Sequence, residues 1–178
     1  MKTPVVNPPR TIMEVYKNLP EGTLAELIDN VIYMSPTPVT SHQKVLQTIF
    51  RRLSEHIDDH DKGQVIVAPF DVYLDESSNA VQPDIVVILK TNKKQPEPKG
   101  HFHGVPDLVV EVLSPGNREH DLVKKKTLYE KFGVREYWIV DPQTKAIIAY
   151  TLGSEKYEIM TTEPGSIHSL ILNLAISF

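Results

Sequence analysis

The sequence of 178 residues contains no cysteine. That absence excludes disulfide bonds, thiolate nucleophiles and cysteine-ligated zinc sites. Long apolar runs are also absent, because a run such as Ile85–Leu89 is far shorter than the ~18 residues of a membrane helix. The first residues do not have the profile of a signal peptide. We therefore expect a cytoplasmic protein that does not associate with a membrane.

An excess of positive charge is missing as well. Lysine and arginine number 19 against 23 aspartates and glutamates, which gives a net charge of -4. A protein that coats nucleic acid in general would be basic, so the net charge argues against that class. A nuclease stays compatible, because metal-binding carboxylates add negative charge while local lysines can still contact phosphates. The 40% hydrophobic content is enough for one sizeable core.

The chain divides into a short arm and one domain. Residues 1–10 contain three prolines and are expected to form an extended arm, followed by a single domain over 11–178. Thr11 has Glu14 three residues later, which is the spacing of a capping box and predicts a first helix that ends before Pro20. The short length and the lack of any long linker favour one domain.

The pattern of apolar residues predicts an α+β (mixed α/β) fold. Asp29-Asn30 is expected to turn a hairpin, because both residues tolerate left-handed backbone conformations. An amphipathic helix over 41–57, capped by Ser41 or Thr40, follows. A second helix over 119–132 is ended by Gly133. Strands are predicted near 64–68, 70–74, 81–89, 107–113, 136–141, 145–151, 155–161 and 170–174, with a loop over 90–105. We expect one curved sheet with the two main helices against it.

Two of these strands carry a carboxylate where a core residue is expected. Glu111 lies inside the apolar run 108–113, and Asp84 precedes the run 85–89. A buried carboxylate is costly unless it pairs with a cation or binds a metal ion. Two such carboxylates and a lysine could hold a divalent cation and cut a phosphodiester. The alternatives are a turn or cap role for Asp84 and an exposed strand edge for Glu111.

Strand geometry selects the partner of Glu111. Asp107 and Glu111 share one face of their strand but are separated by roughly 13 Å of extended chain. One magnesium ion cannot bridge that distance, because it needs oxygens at about 2.0–2.1 Å. The partner must therefore come from a neighbouring strand, and Asp84 is the expected one. Asp107 is expected at the entrance of its strand.

The second helix supplies a candidate cation. Asp121, Lys125 and Tyr129 are four residues apart and share one helical face. The simpler interpretation is an exterior Asp–Lys pair worth ~0.3–0.5 kcal/mol. In the functional interpretation, Lys125 points over Glu111 and is oriented by Asp121. Since Lys125 is expected on the exterior of the helix, its loss should affect catalysis rather than folding.

Other polar residues have less specific surroundings. Lys124 and Lys126 are turned about 100° from Lys125 and are expected to face solvent or phosphate. His42 lies in the first turn of the helix over 41–57, where it either belongs to the cap region or joins a site. His101 and His103 flank Phe102 in the loop over 90–105, so a metal-binding pair is the alternative to a plain surface loop.

Several motifs in order resemble the Uma-type restriction endonuclease family of the PD-(D/E)XK nuclease superfamily. The resemblance covers roughly residues 20–178. It is specific because no single motif carries it. The matching segments are Glu26–Asp29, Met34–Pro36, His42, Pro83–Asp84, Pro106–Val112, Asp121-x3-Lys125-x3-Tyr129 and Gly133–Pro142.

The resemblance implies a restriction-endonuclease-like mixed sheet flanked by helices, with Asp84 and Glu111 as the acidic pair. It also implies that the lysine has moved. Leu113 stands two residues after the glutamate, where the superfamily usually has lysine, and Lys125 on the following helix takes its place. Glu26 matches a further acidic position of the family.

These inferences predict a DNA endonuclease that depends on Mg²⁺ or Mn²⁺ and hydrolyses phosphodiester bonds. Asp84 and Glu111 are expected to hold the ion, and Lys125 to provide the ammonium group. The supporting residues are expected to be Glu26, His42, Asp107, Asp121 and Tyr129. A homodimer is expected too, because two sites can cut both strands of a duplex. The alternatives are a catalytically silent nucleic-acid-binding or scaffold protein and a metal phosphoesterase acting on a small substrate.

Overall fold

The computed structural model describes residues 8–115 and 118–178. Residues 1–7 of the predicted arm lie outside the described residues, and residues 8–10 form neither helix nor strand. The helical elements are α1 (Ile12–Lys17), α2 (Thr40–Asp59), a π-helical segment (His120–Lys125) and α3 (Lys126–Phe132). The strands are β1 (Ala25–Ile28), β2 (Val31–Met34), β3 (Gly63–Val67), β4 (Val72–Tyr73), β5 (Ala80–Val81), β6 (Ile85–Leu89), β7 (Phe102–His103), β8 (Leu108–Val112), β9 (Glu136–Val140), β10 (Ile147–Leu152), β11 (Tyr157–Ile159), β12 (Ser166–Ser169) and β13 (Leu174–Ser177).

A six-stranded mixed sheet in the order β11-β10-β9-β8-β6-β3 lies at the centre. β8 and β9 run parallel, and the chain between them crosses one face of the sheet through α3. α2 packs its apolar side against the other face. Because both faces are covered, β6 and β8 are buried at every position, as expected for strands between two layers.

A second, five-stranded sheet in the order β2-β1-β5-β4-β7 stands beside the first. The β1–β2 hairpin turns at Asp29 and Asn30, whose φ angles of 46° and 63° confirm the predicted primed turn. β12 and β13 form a separate two-stranded hairpin, from which Ile167 and Ile176 join the core under α2. The predicted mixed α+β fold is confirmed, but the prediction of one curved sheet is wrong, because the strands of the described residues form three separate hydrogen-bonded sheets.

Local details differ from the sequence prediction for identifiable reasons. The predicted strand 81–89 is two strands, because Pro83 has no N–H for the sheet ladder. The predicted strand 170–174 is wrong, since the segment between β12 and β13 is a turn. Its Leu170 N–H donates to a side chain rather than to a neighbouring strand. α2 begins after Val39, so Thr40 and Ser41 lie inside the helix and do not cap it.

Other predictions are confirmed. Thr11 caps α1 by accepting a hydrogen bond from the Glu14 N–H at 3.1 Å, and Gly133 ends α3 in the left-handed conformation at φ 85°. None of the helices in the described part of the chain has the length and apolar character that crossing a bilayer requires.

Candidate active site

β8 carries Glu111 into the interior between the sheet and α3. Leu108, Val110 and Val112 alternate toward α2, whereas Val109 faces the opposite core. Glu111 shares the parity of Val109, so its side chain lies on the α3 side, where it is 4% exposed. There it lines a cavity of about 100 Å³. The same cavity is lined by Asp84, His42, Asp121 and Lys125.

Asp84 reaches this cavity from the neighbouring strand. It stands directly before β6, whose Ile85 pairs with Val110 of β8. Its Oδ2 accepts a hydrogen bond from the Val112 N–H at 2.7 Å and lies 3.0 Å from His42 Nε2. The Asp84 carboxylate is therefore fixed in orientation by β8 and α2 together.

His42 is the histidine in contact with Asp84. It is buried in the first turn of α2, and its Nδ1 makes no hydrogen bond within the described residues. Burial alone would lower the pKa of His42, but the hydrogen bond to the Asp84 carboxylate and its negative charge raise the pKa above its ordinary value. Contact with Asp84 gives the sequence-predicted His42 a place at the site.

The second helix begins as a π-helix, and this changes which residues face inward. The π-helical segment has i→i+5 hydrogen bonding, a form that often occurs at functional sites. In an α-helix, residues five apart point about 140° away from one another. Here His120 and Lys125 are both buried on the site-facing side, together with Asp121.

Lys125 is the centre of a buried charge cluster. Its Nζ lies 2.9 Å from Glu111 Oε1, 2.9 Å from Glu26 Oε1 and 3.5 Å from Asp121 Oδ1. The Tyr129 hydroxyl donates to the same Glu111 Oε1 at 3.0 Å. The predicted helical face is thus directed at Glu111. The exterior position predicted for Lys125 is wrong, because the residue is only 4% exposed.

Proton affinities within the cluster differ by residue. Burial and the nearby Asp121 raise the pKa of Glu111 well above its ordinary value, although Lys125 opposes the shift. Burial would lower the pKa of Lys125, but Glu111 and Glu26 raise it well above its ordinary value. Burial would raise the pKa of Glu26, yet Lys125 and His120 bring it down to about 2. Lys125 and Glu26 therefore form an ion pair, whereas Glu111 retains affinity for a proton.

Glu26 belongs to the site through long-range contacts from β1. Its Oε1 accepts a hydrogen bond from the Gln82 N–H at 3.0 Å, and its Oε2 lies 3.1 Å from His120 Nε2. Sequence analysis does not single out His120 or Gln82. His120 and Lys125 are five residues apart and face the same side only in a π-helix. Gln82 contributes its backbone N–H, which every residue except proline has. The sequence therefore gave no pattern that identifies either residue.

Asp107 and the two loop histidines are not brought to this cavity. Asp107 lies at the opposite end of β8, where its Oδ2 accepts from the Leu89 N–H and Asn92 Nδ2, both at 2.9 Å. Its predicted supporting role at the site is therefore wrong, because its carboxylate closes a loop instead. His101 and His103 pair separately with Asp71 and Glu76.

The cavity offers carboxylate oxygens to a cation. Asp84 Oδ1 and Glu111 Oε2 make no hydrogen bond within the described residues, since the contacts of both side chains use the other oxygen. Over residues 8–115 and 118–178, no group of three or more histidines, aspartates or glutamates is arranged to enclose a metal ion. Two carboxylates with waters and a substrate phosphate suit magnesium, which seldom uses an all-protein cage.

Comparison with known proteins places this site in context. A structure described as that of a putative nuclease from Anabaena variabilis ATCC 29413 has the same fold, with a TM-score of 0.77. It is 19% identical in sequence, and the match covers 95% of both chains, a likeness that shows the fold alone. No match is found among the curated proteins. The model of the Uma2 family, described as "Putative restriction endonuclease", matches residues 13–177, and the chain therefore belongs to this family.

Proposed function

We propose that this protein is a metal-dependent DNA endonuclease. The observation that carries the proposal is the contact of 2.9 Å between Lys125 Nζ and Glu111 Oε1, in a cavity that Asp84 also lines. An acidic pair with an ammonium group is the set of side chains that phosphodiester hydrolysis needs. The membership in the Uma2 family and the putative nuclease with the same fold support the same chemistry.

The proposed cofactor is Mg²⁺ or Mn²⁺, held by Asp84 and Glu111 and assisted by a backbone carbonyl near Val112. The free Asp84 Oδ1 and Glu111 Oε2 are hard oxygen ligands of the kind that these ions prefer. When bound, such an ion would polarise the scissile phosphate and lower the pKa of a bound water.

Lys125 is proposed to act as a fixed positive charge. Because its pKa is raised by Glu111 and Glu26, its amine stays protonated and cannot accept a proton from water. Its role is therefore to orient the nucleophilic water and to stabilise negative charge on the phosphate in the transition state. Tyr129 helps by holding the same Glu111 oxygen, and His42 helps by holding Asp84.

A cleavage assay tests the proposal. Plasmid and single-stranded DNA are incubated with Mg²⁺ or Mn²⁺ and with wild-type protein or the Glu111→Ala variant. We expect cleavage by the wild type and none by the variant. If no DNA is cut under any condition, the catalytically silent alternative is supported. If a small phosphodiester is cut and DNA is not, the phosphoesterase alternative is supported.

Metal binding is tested separately by thermal unfolding. A ligand that binds only the folded state stabilises it by mass action, so Mn²⁺ should raise the melting temperature more than Mg²⁺ does. Asp84→Asn should abolish the shift, because it removes one proposed ligand. An unchanged shift in Asp84→Asn would place the metal elsewhere.

We propose in addition that the protein works in the cytoplasm as a homodimer, since two sites can cut both strands of a duplex. Sedimentation at micromolar concentration measures the oligomeric state. A monomer under those conditions would contradict the dimer and leave the proposed chemistry unaffected.

A further inference from the structure

A second cavity, of about 250 Å³, adjoins the candidate active site, and Gln82 lines both. Aromatic and polar side chains share its wall. Tyr16 and Tyr73 contribute rings, and Asp71 and His101 contribute polar groups. The function proposed above uses none of these four residues.

Asp71 has one occupied oxygen and one available oxygen. Its Oδ1 accepts hydrogen bonds from the Tyr16 hydroxyl at 3.0 Å and from Gln82 Nε2 at 2.8 Å. Its Oδ2 lies 3.6 Å from His101 Nδ1, beyond hydrogen-bonding distance, and accepts no hydrogen bond within the described residues. The carboxylate is thus held rigidly by one oxygen while the other can accept from an N–H donor in the cavity.

His101 provides a ring at the opening of the cavity. Its side chain is 51% exposed, and its ring centroid lies 5.8 Å from that of Tyr73. Lys17 also lines the cavity, and its ammonium group, which pairs with Glu76 at 3.1 Å, is a positive charge available there to a phosphate. Exposed rings beside lysines are typical of surfaces that stack the bases of single-stranded nucleic acid.

Gln82 connects this cavity to the charge cluster. Its side chain donates to Asp71 Oδ1, and its backbone N–H donates to Glu26 Oε1 at 3.0 Å. Glu26 in turn pairs with Lys125 at 2.9 Å. Asp71 is therefore connected to Glu26 through two hydrogen bonds, both of which Gln82 donates.

We propose that this second cavity binds the base of a nucleotide next to the scissile phosphate, presented unpaired. Asp71 Oδ2 would accept from the exocyclic amino group of the base, and His101 would stack on its face. The inference rests on the proposed nuclease function and adds a substrate class to it, namely single-stranded or locally opened DNA. A base inside a duplex is stacked between its neighbours, so it must leave the duplex before it can enter a cavity of this kind.

The same geometry specifies which bases fit. A carboxylate accepts from the amino group of cytosine. Thymine has no amino group, and its only ring N–H lies between two carbonyl oxygens that a carboxylate repels. Cytosine should therefore bind better than thymine, although the two rings have the same size.

The test measures binding of fluorescent single-stranded dC and dT ten-mers by anisotropy, in EDTA so that no strand is cut. Wild-type protein should bind the dC oligonucleotide roughly tenfold more tightly. Asp71→Asn should bring the ratio close to one because the acceptor for the amino group is lost. His101→Ala should do the same because a base that is no longer stacked leaves the cavity and its contact with Asp71. His103→Ala is the matched control, because His103 lies in the same loop, stacks on Tyr73 at 4.6 Å and does not line the cavity. It should keep the ratio.

Equal binding of the two oligonucleotides by the wild type would overturn the proposal, as would an unchanged ratio in both His101→Ala and Asp71→Asn. If the Asp71→Asn variant does not fold, the dC/dT ratio of His101→Ala is the deciding measurement, because His101 is exposed and its loss should not unfold the protein. If His103→Ala lowers the dC/dT ratio as much as His101→Ala does, the preference for dC belongs to the whole segment and not to the cavity, which would also overturn the proposal. Cleavage of the same oligonucleotides with Mg²⁺ or Mn²⁺ is scored separately. A preserved dC preference without cleavage would contradict the endonuclease and leave the base site standing.

Discussion

Two buried glutamates on neighbouring parallel strands have contrasting surroundings. Glu111 on β8 shares its Oε1 between Lys125 and Tyr129, and its Oε2 makes no hydrogen bond within the described residues. Glu136 on β9 is fully buried on the opposite face of the sheet. Both of its oxygens are occupied by neutral donors. These are Ser169 Oγ, Trp138 Nε1, the Leu170 N–H and the Ile171 N–H, at 2.7–3.2 Å.

The difference teaches that burial does not identify a functional carboxylate. Glu136 joins β9 to the turn after β12, and no oxygen is left for a ligand. Glu111 has a cationic neighbour and a free oxygen at a cavity, and burial raises its pKa well above the ordinary value. Asp107 also has both oxygens occupied, Oδ2 by Leu89 and Asn92 and Oδ1 by the Arg135 guanidinium at 3.3 Å. A free oxygen at a cavity, and neither burial nor a cationic partner, distinguishes Glu111 from these two carboxylates.

The largest expected effect is on catalysis at Glu111. Glu111→Gln should lower the rate of DNA cleavage at least ~10²-fold, because it removes a proposed metal ligand from the proposed active site. The free energy of unfolding should change by less than about 1 kcal/mol, since the raised pKa shows that the folded site favours a neutral side chain. Cleavage assays and urea unfolding measure the two effects.

Asp107→Asn is the control on the same strand and should cleave DNA at the wild-type rate per folded molecule. If Glu111→Gln cleaves normally, the contrast between the two kinds of carboxylate is broken.

Lys125→Ala should reduce both activity and stability. Without the ammonium group, Glu26, Glu111 and Asp121 are left buried without a cation, which costs about 3 kcal/mol of unfolding free energy. The loss should be smaller at pH 5 than at pH 7, because protonation of the carboxylates relieves their repulsion. Urea unfolding at both pH values measures it.

Lys124→Ala is the matched control, since Lys124 is exposed and contacts Tyr33 outside the cluster. Its stability should stay within about 0.5 kcal/mol of wild type. A stable Lys125→Ala variant would mean that the cluster rearranges at little cost.

Glu136→Gln should show the opposite profile. The amide cannot accept on its nitrogen side, so two buried donors lose their acceptor and the free energy of unfolding falls by about 2 kcal/mol. Cleavage per folded molecule should equal that of wild type. A loss of activity in fully folded Glu136→Gln would show that the two faces of the sheet are coupled.

The comparison also predicts a difference in pH dependence. The pKa of Glu26 falls from 4.5 to about 2 on folding, so its contribution to stability is present above pH 4.5 and is lost as pH falls toward 2. Burial raises the pKa of Glu136, so its contribution is present below pH 4.5 and is lost as pH rises through the raised pKa.

Stability is measured between pH 2 and pH 8. Glu26→Gln should weaken the loss on the acid side, and Glu136→Gln should weaken the decline above pH 4.5. The same pH profile in both variants would remove this distinction between the two carboxylates.

Much of the local structure could be predicted from the sequence. Apolar spacing located α2 and the parallel strands, and Asp29-Asn30 located the hairpin turn, because these signals depend on neighbours within a few residues. The four-residue spacing of Lys125 and Tyr129 also predicted which helical face meets Glu111. The same signals failed over 170–174. There the backbone N–H of Leu170 donates to the Glu136 side chain and not to a neighbouring strand.

The sequence by itself determined most of the helices and strands and the mixed α+β fold, since periodicity and chain geometry are local. Only the tertiary structure decided that Lys125 is buried and that Glu26 neutralises it. That contact joins residues 99 positions apart in sequence, one on β1 and the other in a π-helical segment that no residue pattern signals. The burial and the pKa of a side chain depend on the residues around it, and these neighbours come together only when the chain folds.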